Sequence, residues 1–226
     1  MNHLETELQE LRQTTVQMWN LVISQIKKTR MALQQFDSDI AREVNATEKR
    51  VNAMELKIDQ DCENIIALFN PVAIDLRFVL AILKINNNLE RTGDIAQGIA
   101  KLVIQSNAAF EPNLVTQSEI YRMMDESIEM LESLLKSFEQ EDSQLARTIF
   151  ARDEILDVIN RNANENITEY IRQNPENIEQ SLNCLSSIRK LERVGDQCKN
   201  IAEEIIFYLE AKVLKHLKKK YKINPE

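Results

Sequence analysis

The sequence predicts an all-α fold: six long antiparallel helices arranged as two tandem three-helix bundles related by an internal repeat. Three observations predict it. Glycine occurs 3 times and proline 4 times in 226 residues, about 3% together against roughly 12% in average usage, so an all-β or Gly-loop-rich α/β fold lacks its turns. Leucine, isoleucine, glutamate, asparagine and lysine dominate, aromatics are 5%, and a 43% hydrophobic fraction suffices to fill a core. Finally, Leu89-Glu90-Arg91-Thr92-Gly93-Asp94 recurs as Leu191-Glu192-Arg193-Val194-Gly195-Asp196, at half the chain length. Such a repeat marks two copies of one unit joined head to tail.

The scarce breakers place the helices at about 3–35, 39–69, 71–106, 114–139, 142–173 and 175–217. Asp39 and Ser143 are the expected N-caps of the second and fifth helices. Asn70 and Asn174 are the expected caps before Pro71 and Pro175, which suit the first helical position. The units divide as 1–107 and 113–226. Core stripes follow alternating 3/4 spacing. The third helix offers Ile85, Leu89, Gly93, Ala96, Ala100 and Val103, and the sixth offers Leu191, Gly195, Cys198, Ala202, Ile205 and Leu209. The second offers Val44, Thr47, Val51, Met54, Ile58, Ile65 and Leu68, and the fifth Ile149, Arg152, Leu156, Ile159, Ala163 and Tyr170, with Arg152 the weak member. Trp19 and Met18 read as core of the first helix.

Net charge is −8. From Glu210 onward six lysines (Lys212, Lys215, Lys218, Lys219, Lys220 and Lys222) face two glutamates, so the rest of the chain is more acidic still. An acidic body argues against nucleic-acid binding. The basic end complements the last helix dipole or offers weak attachment to anionic lipid or an acidic partner. No 18-residue apolar run and no secretory leader are present, and three scattered cysteines fit a reducing cytosol.

The acids carry the chemistry. Glu90/Asp94, Glu192/Asp196, Asp153/Asp157 and Glu48/Asn52 are i, i+4 pairs, each member one position after a stripe residue. On facing antiparallel helices that rotation points to one side of the shared seam. Heights agree as well. Glu90 lies 19 residues beyond Pro71 and Asn52 18 before Asn70, while Glu192 lies 17 beyond Pro175 and Asp157 17 before Asn174. Two oxygen-rich clusters are therefore expected, each suited to a hard cation that offsets the repulsion. Magnesium, manganese, calcium and iron fit such donors. Zinc is disfavoured because neither cluster holds His or Cys. Asn52 replaces a carboxylate, so the first cluster is expected to bind more weakly than the second. The alternative is a solvated acidic face, with Arg91 and Arg193 as partners. Gly93 and Gly195, each unfavourable inside a helix, suggest close helix approach.

The stretch Asn70-Pro71-Val72-Ala73-Ile74-Asp75-Leu76-Arg77 followed by Leu89–Asp94, and Leu191–Asp196 followed by Asn200-Ile201-Ala202-Glu203 and Phe207-Tyr208, resembles the two halves of a PhoU protein. The resemblance spans nearly the whole chain. It implies two three-helix bundles with pseudo-two-fold symmetry and a cytoplasmic negative regulator of the phosphate regulon, often a dimer. It implies as partners the ATPase of a phosphate ABC transporter and a membrane sensor kinase, both restrained when phosphate is plentiful. The family's metal motif, E(D)xxxD, carries iron or other cations, and maps to Glu90/Asp94, Glu192/Asp196 and Asp153/Asp157, with Glu48/Asn52 a departure. Manganese or magnesium would also suit it.

Other readings are a metal-storing scaffold, an accessory of an ion-coupled phosphate transporter, or a carboxylate-bridged metal enzyme. The enzyme reading is weakened because Gly93 and Gly195 stand where a Glu-x-x-His ligand pair would put histidine. Catalysis is not expected, since His3 and His216 lie at the chain ends and no phosphate-binding glycine loop exists.

Overall fold

The structure is a computed structural model that describes residues 3–214. Its helices are α1 (His3–Gln35), α2 (Ser38–Phe69), α3 (Ala73–Gln105), α4 (Pro112–Ser118), α5 (Ile120–Gln140), α6 (Ser143–Arg147), α7 (Ile149–Gln173) and α8 (Ile178–Glu210), with a 3-10 turn at Pro175–Asn177. The first copy is α1–α2–α3. The second is α4/α5, α6/α7 and α8, so two of the six expected helices are interrupted. Glu119, with φ 53°, breaks α4 from α5. At Thr148 the backbone stays helical but tightens, its N–H and hydroxyl both donating to Leu145 O. Among the described residues no helix is long and apolar enough to cross a membrane.

Each copy turns its first corner in the same way. Phe36 and Glu141 take left-handed conformations, and the next N–H closes back on the helix: Asp37 N to Ala32 O and Asp142 N to Ser137 O, both at 3.0 Å. These are 6→1 closures of the Schellman kind. The same two aspartates then cap the following helix. Asp37 accepts from Asp39 N and Ile40 N, and Asp142 from Gln144 N and Leu145 N. The caps thus fall ahead of the expected Asp39 and Ser143, because a carboxylate reaches the free N–H groups two and three residues on. Asn70 likewise ends α2 in the left-handed region rather than starting α3, whose cap position is Val72. Asn174 opens only the 3-10 turn, and its amide turns back to Tyr170 O. The last helix stops at Glu210, closed by left-handed Ala211, not at 217. Lys212 donates to Glu210, and the other tail lysines lie outside the described residues.

The stripes of α3 are buried throughout, and those of α8 are buried except for half-buried Leu209. Three members of the other stripes are not core, among them half-buried Thr47, whose hydroxyl donates to Glu43 O at 2.9 Å. Leu68 is exposed because it lies in the last turn of α2, beyond the packed seam. Arg152 reaches outward to Glu126 and Glu129. Met18 and Trp19 are fully buried, and the Trp19 indole N–H donates to Leu131 O on α5 at 3.1 Å, across the two copies. Cys62, Cys184 and Cys198 are buried free thiols; burial pushes Cys62 up to about 12 and Cys184 to about 11.

The copies pack mainly through α3 against α8. Asn200 Nδ2 donates to Asn88 Oδ1 at 3.1 Å. The repeat offset of 102 maps this pair onto Gly98 and Lys190, and these also meet: a Cβ at Gly98 would lie 3.3 Å from Lys190 Cε. One crossing is therefore made twice, as a two-fold axis between α3 and α8 requires.

Candidate metal centre

Two long helices and their short turn fix each acidic seam. In the first, α2 and α3 run antiparallel and bring Glu48, Glu90 and Asp94 together, with one carboxylate oxygen of each within 4.8 Å of the others. Glu48 is buried, Glu90 half-buried and Asp94 exposed, so the cluster opens from the core to the surface. Gly93 makes room for it. A Cβ there would meet Gln25 Oε1 at 2.9 Å and Glu48 Oε2 at 3.1 Å, so the close approach expected of this glycine is that of a carboxylate lying against the α3 backbone. Gln25 on α1 donates to Glu48 Oε2 at 2.8 Å, and its own Oε1 is buried without a partner. Asn52 is exposed and, with its nitrogen turned inward, donates to Glu48 Oε1 at 2.7 Å. It meets the cluster as a donor steadying Glu48.

The electrostatics follow from crowding in a half-dry site. Burial raises the Glu48 carboxyl, Gln25 opposes the rise, and Asp94 adds to it. Glu90 is pushed up to about 7, by burial first and then by Asp94, Glu55 and Glu48. Glu55, about two turns beyond Glu48 on α2, is raised by burial and by Asp59 and Asp94. Arg91 relieves Glu90 only from a distance. Mutual spacings up to 4.8 Å allow three oxygens to share one ion at the 2.0–2.6 Å bond lengths of hard cations, and the unclaimed Gln25 oxygen adds a neutral donor nearby. The residues present fit such an ion.

The four expected acids of the second seam interact electrostatically, but among the described residues they form no group of three with oxygens within 4.8 Å of one another. Asp153 is buried on α7, and Glu192 is raised by burial and then by Asp196 and Asp157, with a smaller contribution from Asp153. Gly195 plays the part of Gly93, since a Cβ there would lie 2.5 Å from Asp153 Oδ1. One residue changes the chemistry. Lys199 Nζ lies 2.5 Å from Asp153 Oδ2 and 2.8 Å from Asp196 Oδ1, and only 12% of its side chain is exposed. In the first copy the equivalent position is neutral Gln97, which is engaged with Lys101. Among the described residues the carboxylate-only triad is therefore in the first seam, the one in which Asn52 replaces a carboxylate. Sequence reasoning passed over Lys199 and Gln25. Aligning the two repeats exposes Lys199 against Gln97, and Gln25 falls on the buried α1 spacing of Met18, Val22, Gln25 and Thr29.

Known proteins are similar to this chain over most of its length. A family model described as "PhoU domain" matches residues 15–103 and 120–205, one match in each copy. The chain is 32% identical over 212 residues to the phosphate-specific transport system accessory protein PhoU of Escherichia coli (strain K12), covering 93% of this chain and 87% of that protein. It superposes on the crystal structure of PhoU from Pseudomonas aeruginosa with a TM-score of 0.87 at 31% identity, covering 92% of this chain and 99% of that one. For the phosphate transport system regulatory protein PhoU from Streptococcus pneumoniae the TM-score is 0.84 at 29% identity, with 94% and 99% covered. With one match per repeat and nearly the full length of its relatives covered, the chain belongs to the PhoU family.

Proposed function

We propose that the protein is a cytoplasmic negative regulator of the phosphate regulon: an adaptor, acting as a homodimer, between the ATPase of a phosphate ABC transporter and a membrane sensor kinase. It restrains uptake and signalling when phosphate is plentiful. The observation that carries this reading is the match of both repeats, over nearly the whole chain, to accessory proteins of the phosphate-specific transport system. An adaptor works by presenting a rigid surface, and the long paired helices and shared core supply that rigidity.

The first seam holds a hard cation such as manganese, magnesium or iron through Glu48, Glu90 and Asp94. The ion supplies positive charge that removes the repulsion among the three acids. Gln25 and Asn52 position Glu48 by hydrogen bonds to its two oxygens, and Gly93 keeps α3 clear of it.

Deleting the gene and reading a phosphate-regulon reporter in phosphate-rich medium tests the regulator. High constitutive output, restored to repression by the wild-type gene, is the expected result. Unchanged output in a genome without a paralogue would overturn the proposal. In the complementation assay, Glu48→Gln with Asp94→Asn separates a regulatory ion from a structural one. Derepression with an unaltered circular-dichroism melt would mark the ion as part of signalling.

A further inference from the structure

We propose that Lys199 is the resident cation of the second seam, its ammonium standing where the family's metal would stand, so that this chain carries one metal centre and not two. Two distances carry the argument. Nζ meets Asp153 Oδ2 at 2.5 Å and Asp196 Oδ1 at 2.8 Å, so its nitrogen sits between the two carboxylates at charge-assisted hydrogen-bond distance. It bridges α7 and α8, the two helices such an ion would bridge.

The surroundings favour the lysine over an ion. Asp153 is 97% buried, since only 3% of its surface is exposed. A metal entering here would have to displace an ammonium that already neutralises this carboxylate, whereas among the described residues no ion pair engages Glu48, Glu90 or Asp94 at the first seam. Removing one partner of a buried ion pair leaves the other charge uncompensated, a strongly unfavourable outcome. The seam itself is otherwise built as the first one is. Gly195 clears space for Asp153, and Asp153 Oδ1 is buried with no hydrogen-bond partner, an acceptor that the lysine does not use. Glu192 and Asp157 complete the acid set from the same two helices. What separates the seams is the residue three beyond the motif aspartate: Lys199 after Asp196, and Gln97 after Asp94. In the first copy Lys101, one turn beyond Gln97, donates to Gln97 Oε1 at 2.8 Å and acts on Glu48 only electrostatically. Lysine thus makes the second seam a permanent strut that needs no ion, while the first remains responsive to metal.

The count of one rests on the metal reading of the first seam, but the role of Lys199 does not, and the experiment separates them. Metal-stripped full-length protein is titrated with Mn²⁺ and free ion is counted by EPR. Wild type is expected to take up one equivalent, lost in Glu48→Gln/Asp94→Asn and kept in Asp196→Asn. Asp196 is half-exposed, so that variant is expected to fold. Lys199→Gln, which copies Gln97, is expected to bind one equivalent more than wild type, and the gain should vanish in Lys199→Gln/Asp196→Asn. Two equivalents in wild type with one lost in Asp196→Asn, or no gain in folded Lys199→Gln, overturns the assignment. Should wild type bind nothing while Lys199→Gln binds one, the first-seam reading fails and the lysine assignment stands. A Lys199→Gln protein that folds only when Mn²⁺ is present also upholds it. If that variant is insoluble under both conditions, the wild-type count decides: uptake indifferent to Asp196→Asn upholds the proposal, and uptake halved by it overturns it.

Discussion

Gly93 and Gly195 occupy equivalent positions but face different neighbours, so the same substitution is expected to act differently on them. Alanine gains about 1 kcal/mol of helix propensity at either site. At Gly195 the new Cβ would lie 2.5 Å from Asp153 Oδ1 and 3.0 Å from Leu156 Cδ2. Asp153 is held from its other side by Lys199, so the strain has little outlet, and overpacking of this sort costs about 1–3 kcal/mol. Gly195→Ala is expected to lower stability by roughly 1 kcal/mol net in urea denaturation. At Gly93 the new methyl meets the ends of two longer side chains, Gln25 and Glu48. Gly93→Ala is therefore expected to be near neutral in stability and to weaken Mn²⁺ uptake, because Glu48 gives way. Equal losses of stability at both glycines would refute the distinction.

Tyr208 provides a residue-scale test of pH dependence. Its hydroxyl is buried without a hydrogen-bond partner among the described residues, and burial, opposed by Arg12, pushes it up to about 12. The folded phenol keeps a proton that the unfolded chain releases near its ordinary value of about 10. Stability from this group is thus full below pH 10 and is lost as pH rises from about 10 to 12, with a magnitude on the order of 2 kcal/mol. Tyr208→Phe is expected to be neutral or slightly stabilising at pH 7, since it removes an unpaired polar group, and to flatten the alkaline limb of a Tm-against-pH curve. An unchanged limb would exclude Tyr208 as its cause. Stripe residues such as Leu89 and Leu191 were legible in the sequence because burial follows spacing. The direction taken by Lys199 was not, because spacing leaves open whether a long side chain meets water or a carboxylate on the facing helix.

At the scale of the helix, the corners show what local sequence conveys. The corners between the six expected helices were located, since prolines and Asp/Ser/Asn clusters are the punctuation available, but the breaks at Glu119 and Thr148 inside two of those helices were not. The cap itself was misplaced because Asp37-Ser38-Asp39 offers three capping residues in a row. The choice among them falls to the left-handed residue ahead of the cap, Phe36, which no glycine announces. Asp37→Ala and Asp142→Ala each remove an acceptor for two N–H groups and are expected to cost about 1 kcal/mol. Asp39→Ala is expected to cost less than half as much. Chemical denaturation of the three variants checks the order, and a larger loss at Asp39 would return the cap to the residue that the sequence suggested. The break at Glu119 is a feature for which the sequence carries no signal, since Gln117-Ser118-Glu119 contains neither glycine nor proline.

At the scale of the molecule, the repeat and the core lead to different pictures of unfolding. The doubled motif invites a view of two independent bundles. The packing opposes it, because buried side chains of α1, α3, α5 and α8 form one continuous cluster. Phe78 of the first copy stacks 6.2 Å from Phe138 of the second and meets Tyr208 edge-on at 5.5 Å. Arg12 ties the ends together, with its guanidinium 4.8 Å from the Phe78 ring and bonded to Phe138 O and Glu141. Separating the copies would expose this aromatic group and strip Trp19 of its acceptor on α5, so neither half gains by unfolding first. Calorimetry is expected to give a single transition with equal calorimetric and van't Hoff enthalpies. Trp19→Ala, which empties a large core site, is expected to shift that transition down by the equivalent of about 3–5 kcal/mol without splitting it. Two resolved transitions in wild type would mean that the copies melt independently. A split only in Trp19→Ala would locate the coupling in that one side chain rather than in the shared core, and would leave α3 against α8 as a hinge between bundles instead of the spine of one body.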